Sequence, residues 1–153
     1  MNTAFPLTVF FDASCALCSS EMQNIKLNDS NDQLVLVDCS APDFDDASYR
    51  EDGVTRDAMM RCLHAQDAQG RWLRGVAAFE VIYRAVRMTT IAKLWAHPLL
   101  RPLAERAYPL VVRHRYMISA LGLHKLFNLW SRRVARKANS RSQACREGRC
   151  TLP

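Results

Sequence analysis

Two cysteines three positions apart follow directly on a short apolar run, and this junction constrains the fold more than any other stretch of the chain. Leu7-Thr8-Val9-Phe10-Phe11 is brief, apolar and β-prone, the pattern of a buried strand. Asp12-Ala13-Ser14 makes a turn in which Asp12 or Ser14 is available as a helix cap. Cys18, Met22, Ile25 and Leu27 then recur at helical spacing, which predicts a helix over residues 15–27. A polar loop from Asn28 to Asp32 leads to Leu34-Val35-Leu36-Val37, a second buried strand ended by Asp38. A strand–helix–strand crossover of this kind favours parallel pairing.

The next stretch, Ala41 to Gly53, is acidic and turn-rich. Thr55 caps a predicted short helix over residues 56–60. Residues 61–65 and 71–74 read as a strand pair joined by the turn Asp67-Ala68-Gln69-Gly70. Gly75 permits a sharp bend into a helix over residues 76–87, with Ala78, Phe79, Ile82, Tyr83 and Val86 on its apolar face. Beyond residue 90 the pattern is helical. Pro98 and Pro102 suit a helix start, and Leu99, Leu103, Ala107 and Leu110 form one stripe. A final helix is predicted over residues 123–138, with Leu123, Leu126, Phe127, Trp130 and Val134 on one face, before a polar tail carrying Cys145 and Cys150.

The spacing of Cys15 and Cys18 suits disulfide exchange, which needs a thiolate to attack and a second thiol to resolve the mixed disulfide. On the first turn of a helix the two sulfurs lie close together, and free N–H groups and the dipole favour negative charge at the first. In such settings a cysteine pKa falls from about 8.5 to roughly 3.5–7.5. Cys15 therefore reads as the nucleophile and Cys18 as the resolving thiol. Asp12 caps or shapes the turn, or accepts a proton during exchange; a carboxylate so close also opposes thiolate formation. Two other readings stand beside this one. The first is a zinc-stabilised binding protein using Cys15, Cys18, Cys145 and Cys150, with His64 or Cys39 as further candidate ligands. The second is a partner-binding or membrane-surface module acting through the basic helix at residues 123–138. Cys39 and Cys62 read as small buried hydrophobes, His64 as a strand residue, and Trp72 and Trp130 as packing residues.

Charge supports the second alternative only in the last third. Residues 1–100 carry nine Lys/Arg against thirteen Asp/Glu, whereas residues 101–153 carry twelve against two, so the net +6 belongs to the C-terminal part. No recognised nucleic-acid-binding module appears. No run approaches the roughly 18 uninterrupted apolar residues of a membrane span. The N-terminal apolar run has no basic region before it and ends at Asp12, unlike a signal peptide, so the expected compartment is the cytoplasm. There, cysteines serve catalysis or metals more often than structural disulfides.

These residues together resemble the DCC family of thiol-disulfide oxidoreductases, whose Asp-x-x-Cys-x-x-Cys motif follows a first strand, as Asp12-Ala13-Ser14-Cys15-Ala16-Leu17-Cys18 does here. The likeness continues through Val37-Asp38, Ala41-Pro42-Asp43-Phe44, His64, Asp67, Gly70-Arg71-Trp72 and Gly75-Val76-x-Ala78-Phe79. It extends to Arg113-His114-Arg115-Tyr116 and the closing Cys145…Gly148-Arg149-Cys150. The family usually has Gly and Pro where this chain has Ala13 and Ala16. The resemblance implies an α/β thioredoxin-like fold with a helical C-terminal extension. We expect a redox domain at residues 1–95, a helical extension at 96–138 packed on it, and a flexible tail at 139–153. Cys15, Cys18 and Asp12 are the expected catalytic residues, and Cys145 and Cys150 an auxiliary redox pair. No cofactor or metal is expected. The expected partners are a disulfide-containing protein or a small-molecule thiol, with peripheral membrane contact through residues 123–138.

Overall fold

A strand buried on both faces belongs inside a sheet, and β1 (Leu7–Phe11) meets that condition: Leu7, Val9 and Phe10 are fully buried. A computed structural model describes residues 3–122. Its sheet has the order β2-β1-β3-β4. β2 (Leu34–Asp38) pairs parallel with β1, in register from Leu7 opposite Leu34 to Phe11 opposite Asp38. β3 (His64–Gln66) pairs antiparallel with β1 on its other side, and β4 (Trp72–Arg74) closes the hairpin with β3. The parallel pair is bridged by helix α1 (Ala16–Leu27), as the crossover pattern requires. This is the expected mixed α/β, thioredoxin-like arrangement with helices added at its C-terminal end.

Alternation along β1 divides the core. Leu7 and Val9 face Met22 and Ile25 of α1 and Ala78 and Ile82 of α4 (Val76–Ala85). Phe10 faces the other way, onto Cys39 and Met59. There its ring meets Tyr49 edge-on at 4.9 Å and Trp72 at 5.3 Å. Two short helices cover this side: α2 (Ala47–Arg50), which the sequence reading treated only as turn-rich chain, and α3 (Arg56–Arg61), capped by Thr55 through its bond from the Ala58 N–H.

α4 begins at Gly75, whose φ of +57° favours glycine; a side chain there would also approach the Tyr108 ring at 3.4 Å. α5 (Thr89–Ala96) and the long α6 (Leu100–Ala120) follow, α6 with Pro102 in its first turn. Both pack onto the body: α5 against α4, and α6 against α1, α4 and α5. Among the described residues no helix is long and apolar enough to cross a membrane.

Several expectations are corrected. The cap of α1 is Cys15 itself, whose sulfur accepts the Cys18 N–H, so neither Asp12 nor Ser14 is the cap. Leu27 is exposed, having rotated past the sheet-facing side of α1. β2 is an edge strand, so Val35 is about half exposed rather than buried. β3 starts at His64 because Arg61 completes α3 and Cys62 caps it. The stripe Leu99, Leu103 and Leu110 faces solvent. α6 turns inward a different row, Ala104, Tyr108, Val112, Arg115 and Ser119, because the Tyr108 hydroxyl accepts the Leu63 N–H and Arg115 pairs with Asp12. The predicted helix at 123–138, Trp130, Cys145 and Cys150 lie outside the described residues.

Candidate functional site

Two carboxylates at the C-terminal ends of the parallel strands hold the turn that starts α1. Asp12 directly follows β1, and its Oδ1 accepts the Ser14 N–H at 3.0 Å and the Ser14 hydroxyl at 2.5 Å. Asp38 ends β2, and its Oδ1 accepts the Ala13 N–H at 3.1 Å and the Ser40 N–H at 2.8 Å. Ser40 joins the two, since its hydroxyl donates to Asp38 and its oxygen accepts the Ser14 N–H. Side-chain-to-backbone bonds of this type fix an irregular turn where no ladder partner is available. The loop behind is pinned as well, because Arg56 donates to the carbonyls of Cys39, Ser40 and Ala41.

The turn delivers Cys15 to the N-terminus of α1. Its sulfur accepts the Cys18 N–H at 3.4 Å, and the Cys18 thiol donates to it at 2.8 Å. Both cysteines are free thiols, and a disulfide would bring the sulfurs to about 2.05 Å. Their surroundings differ. Cys15 is fully buried, whereas Cys18 is half-buried. Burial and the neighbouring Cys15 sulfur push the Cys18 thiol far up.

Asp12 is almost fully buried, and α6 supplies its counter-charge. Arg115 donates to Oδ2 at 2.7 Å and the Tyr116 hydroxyl donates to the same oxygen at 2.5 Å. Burial opposes the charge on Asp12, but hydrogen bonds from Ser14 and Tyr116 and the Arg115 cation outweigh it and hold the carboxyl below its ordinary range. With all four donors turned on it, Asp12 shapes the turn and stays ionised. Its repulsion of a nearby thiolate is offset by Arg115, which stacks on the Tyr116 ring at 4.8 Å. The Arg115 Nε–H is buried and has no partner among the described residues.

On the Cys18 side of the centre lies a cavity of about 490 Å³, walled by α1, α3, α4, α5 and α6 and by the end of β1. Leu17, Met59, Phe79, Trp95 and Val112 make much of its surface. Cys18 lines it; Cys15 does not. Glu21, one helical turn beyond Cys18, also lines it and accepts a hydrogen bond from the Tyr83 hydroxyl. Burial pushes the Glu21 carboxyl up despite that bond.

The structure thus brings together Cys15, Cys18 and Asp12. Of the remaining cysteines, Cys39 stands apart, buried against the Met59 sulfur at 3.7 Å, whereas Cys62 lines the same cavity as Cys18, beside Tyr108 and Gly75. His64 is buried in β3 with Nδ1 at 2.8 Å from the Cys62 carbonyl. Among the described residues no three His, Cys, Asp or Glu side chains gather as a metal site requires; the zinc reading depends on Cys145 and Cys150, which are not described. Sequence reasoning named Asp38 only as a strand end and within the resemblance, Arg115 and Tyr116 only within the resemblance and Tyr83 only as a packing residue, and it did not single out Ser40 or Glu21. The available signal was an arginine in the inward row of an otherwise apolar helix face.

The fold is the thioredoxin-like one, with a pair of thiols at the start of its first helix. The chain belongs to the DCC1-like thiol-disulfide oxidoreductase family, whose pattern matches residues 9–121. The match includes the dithiol, Asp12, Arg115 and Tyr116 and stops short of Cys145 and Cys150. No curated protein and no solved structure matches the chain.

Proposed function

We propose that the chain catalyses thiol–disulfide exchange through Cys15 and Cys18, acting on a disulfide-containing protein or a small-molecule thiol. The 2.8 Å contact between two free thiols at the start of a helix carries this reading. Cys15 supplies the thiolate: it accepts both the Cys18 N–H and the Cys18 S–H, and the dipole of α1 favours negative charge there. Cys18 holds the proton and provides the second sulfur. Asp12 acts as a positioning residue, fixing the turn and drawing Arg115 to the centre. No step calls on a group beyond the two cysteines.

Equilibration of the full-length protein in glutathione buffers of graded potential tests the reading. The expected result is a two-electron transition that disappears in Cys15→Ser and in Cys18→Ser. The Cys145→Ser/Cys150→Ser variant, titrated in parallel, reports whether the auxiliary pair adds a second couple. A wild-type protein whose Cys15–Cys18 pair never oxidises across the buffer range overturns the proposal.

A further inference from the structure

Helix α6 packs one side onto the body and leaves the opposite side exposed. Leu103, Leu110 and Met117 fall seven positions apart, so they share one line along the helix, about 21 Å long. They are 63%, 61% and 64% exposed, and Leu99 and Leu121, both 77% exposed, extend the line at either end. Arg106 and Arg113 run beside it, also seven apart and exposed, and neither has an ion pair among the described residues. The one acid of α6, Glu105, is tied to Arg101 at 3.0 Å. A row at four-residue spacing, Leu103, Ala107 and Val111, leads from this face to the cavity. Val111 and Leu94 both line the cavity and are exposed, so its mouth adjoins the bare face of α6.

A row of apolar side chains with cations along its flank and no free acid is the pattern of a helix that lies in a membrane interface. We propose that this face of α6 docks on an anionic lipid surface, with Leu103, Leu110 and Met117 in the acyl boundary and Arg106 and Arg113 on the headgroups. Charge decides among the occupants. A second copy of the chain would bring the same arginines to the face and no acid to meet them. Residues 123–138 contain five Lys/Arg and no Asp or Glu, so they supply no counter-charge either. An anionic lipid surface supplies both an apolar layer and negative headgroups. The docking surface is thus α6, where the sequence pointed to residues 123–138. α6 lies along the surface and does not cross it, because its apolar line is one-sided. Docking brings the mouth of the cavity close to the lipid, while Arg115 and Tyr116 keep their bonds to Asp12.

Two measurements on the full-length protein test this, with vesicles of phosphatidylcholine alone or mixed with phosphatidylglycerol. The first is oxidation of Met117, read by peptide mass, which needs no variant. In the protein alone Met117 oxidises as an exposed methionine; mixed vesicles slow it, whereas phosphatidylcholine vesicles and soluble polyglutamate do not. The second is co-sedimentation with the mixed vesicles. Affinity falls about fivefold for each of Arg106→Gln and Arg113→Gln and at least about tenfold for Leu110→Ser. It also weakens from about 0.1 M to 1 M salt, as the screening length drops from about 10 Å to 3 Å. The three side chains point to solvent, so the circular dichroism of each variant matches wild type. If Met117 in the protein alone is as slow as the buried Met59, another part of the chain or a second copy covers the face and the proposal is overturned. Equal slowing by polyglutamate assigns the face to an acidic partner instead. Wild-type affinity in Leu110→Ser and in Arg106→Gln/Arg113→Gln moves the contact elsewhere in the chain, and a wild-type protein that leaves the mixed vesicles bare removes it; each of these also overturns the proposal.

Discussion

Cys15 and Cys39 are equally buried, both fully; Cys15 lies four positions beyond β1 and Cys39 directly follows β2. Their surroundings differ in kind. Cys15 caps a helix and meets a second thiol; Cys39 lies in the aromatic layer beneath Phe10, with a thioether as its sulfur contact. Burial, and the Asp38 carboxylate behind it, push the Cys39 thiol up to about 12. Burial alone makes a thiol inert. Cys15 instead has a helix N-terminus and a neighbouring S–H, so neighbours separate these two cysteines where depth does not.

The largest effect that follows concerns Cys39. With its thiol near 12, its thiolate fraction at neutral pH is about three thousand-fold below that of a free cysteine near 8.5. Iodoacetamide should therefore modify Cys39 in the native protein at least about a thousand-fold more slowly than a model thiol, and at the ordinary rate once urea unfolds the chain. Cys39→Ala should keep the Cys15–Cys18 transition. Fast native alkylation of Cys39, read by peptide mass, or loss of the transition in Cys39→Ala, would erase the contrast.

The second effect concerns the clamp over the turn. Arg115 and Asp12 are 13% and 3% exposed at their side chains, so the pair is largely removed from water. Arg115→Met leaves a buried carboxylate with Ser14 and Tyr116 only, and should cost about 3 kcal/mol in urea unfolding at pH 7. The sign with pH follows from the direction of the Asp12 shift. Its folded value is depressed, so its contribution is complete above the unfolded carboxylate value of about 3.9 and is lost as pH falls through the folded value. The gap between wild type and Arg115→Met should shrink on acidification from pH 7 to pH 3. An unchanged gap would mean that Arg115 stabilises by packing alone.

The sequence disclosed one half of this site far better than the other. The strand, turn and dithiol lie within a dozen consecutive residues, and local rules of strand pattern, capping and helix spacing act over that range. The parallel pair and the hairpin were legible for the same reason. Arg115 and Tyr116 reach Asp12 from about a hundred positions away, and no periodicity encodes that meeting. The outward face of α6 misled: Leu99, Leu103 and Leu110 formed the more apolar stripe, yet the helix turned on the Tyr108 and Arg115 anchors instead. Two specific polar bonds outweighed a pattern of leucines. The cavity was illegible too, because its walls come from five helices and it exists only once they are assembled.

The smallest effect separates the cavity's acid from the acid of the clamp. Asp12 is buried with four donors and is held low; Glu21 is buried with Tyr83 alone and is pushed up. Opposite shifts give opposite pH slopes. A carboxyl whose folded value is raised contributes fully to stability below its unfolded value of about 4.3, and that contribution is lost as pH rises through the folded value. Glu21→Gln removes this titration while keeping an oxygen for the Tyr83 hydroxyl. Wild type and Glu21→Gln should therefore differ least near pH 4, with the variant gaining relative stability between there and neutrality, as read by urea unfolding at several pH values. Arg115→Met should show the reverse trend. If both variants follow wild type with the same slope, the two acids share one environment, and the division between a charged clamp on one side of the dithiol and an apolar chamber on the other is wrong.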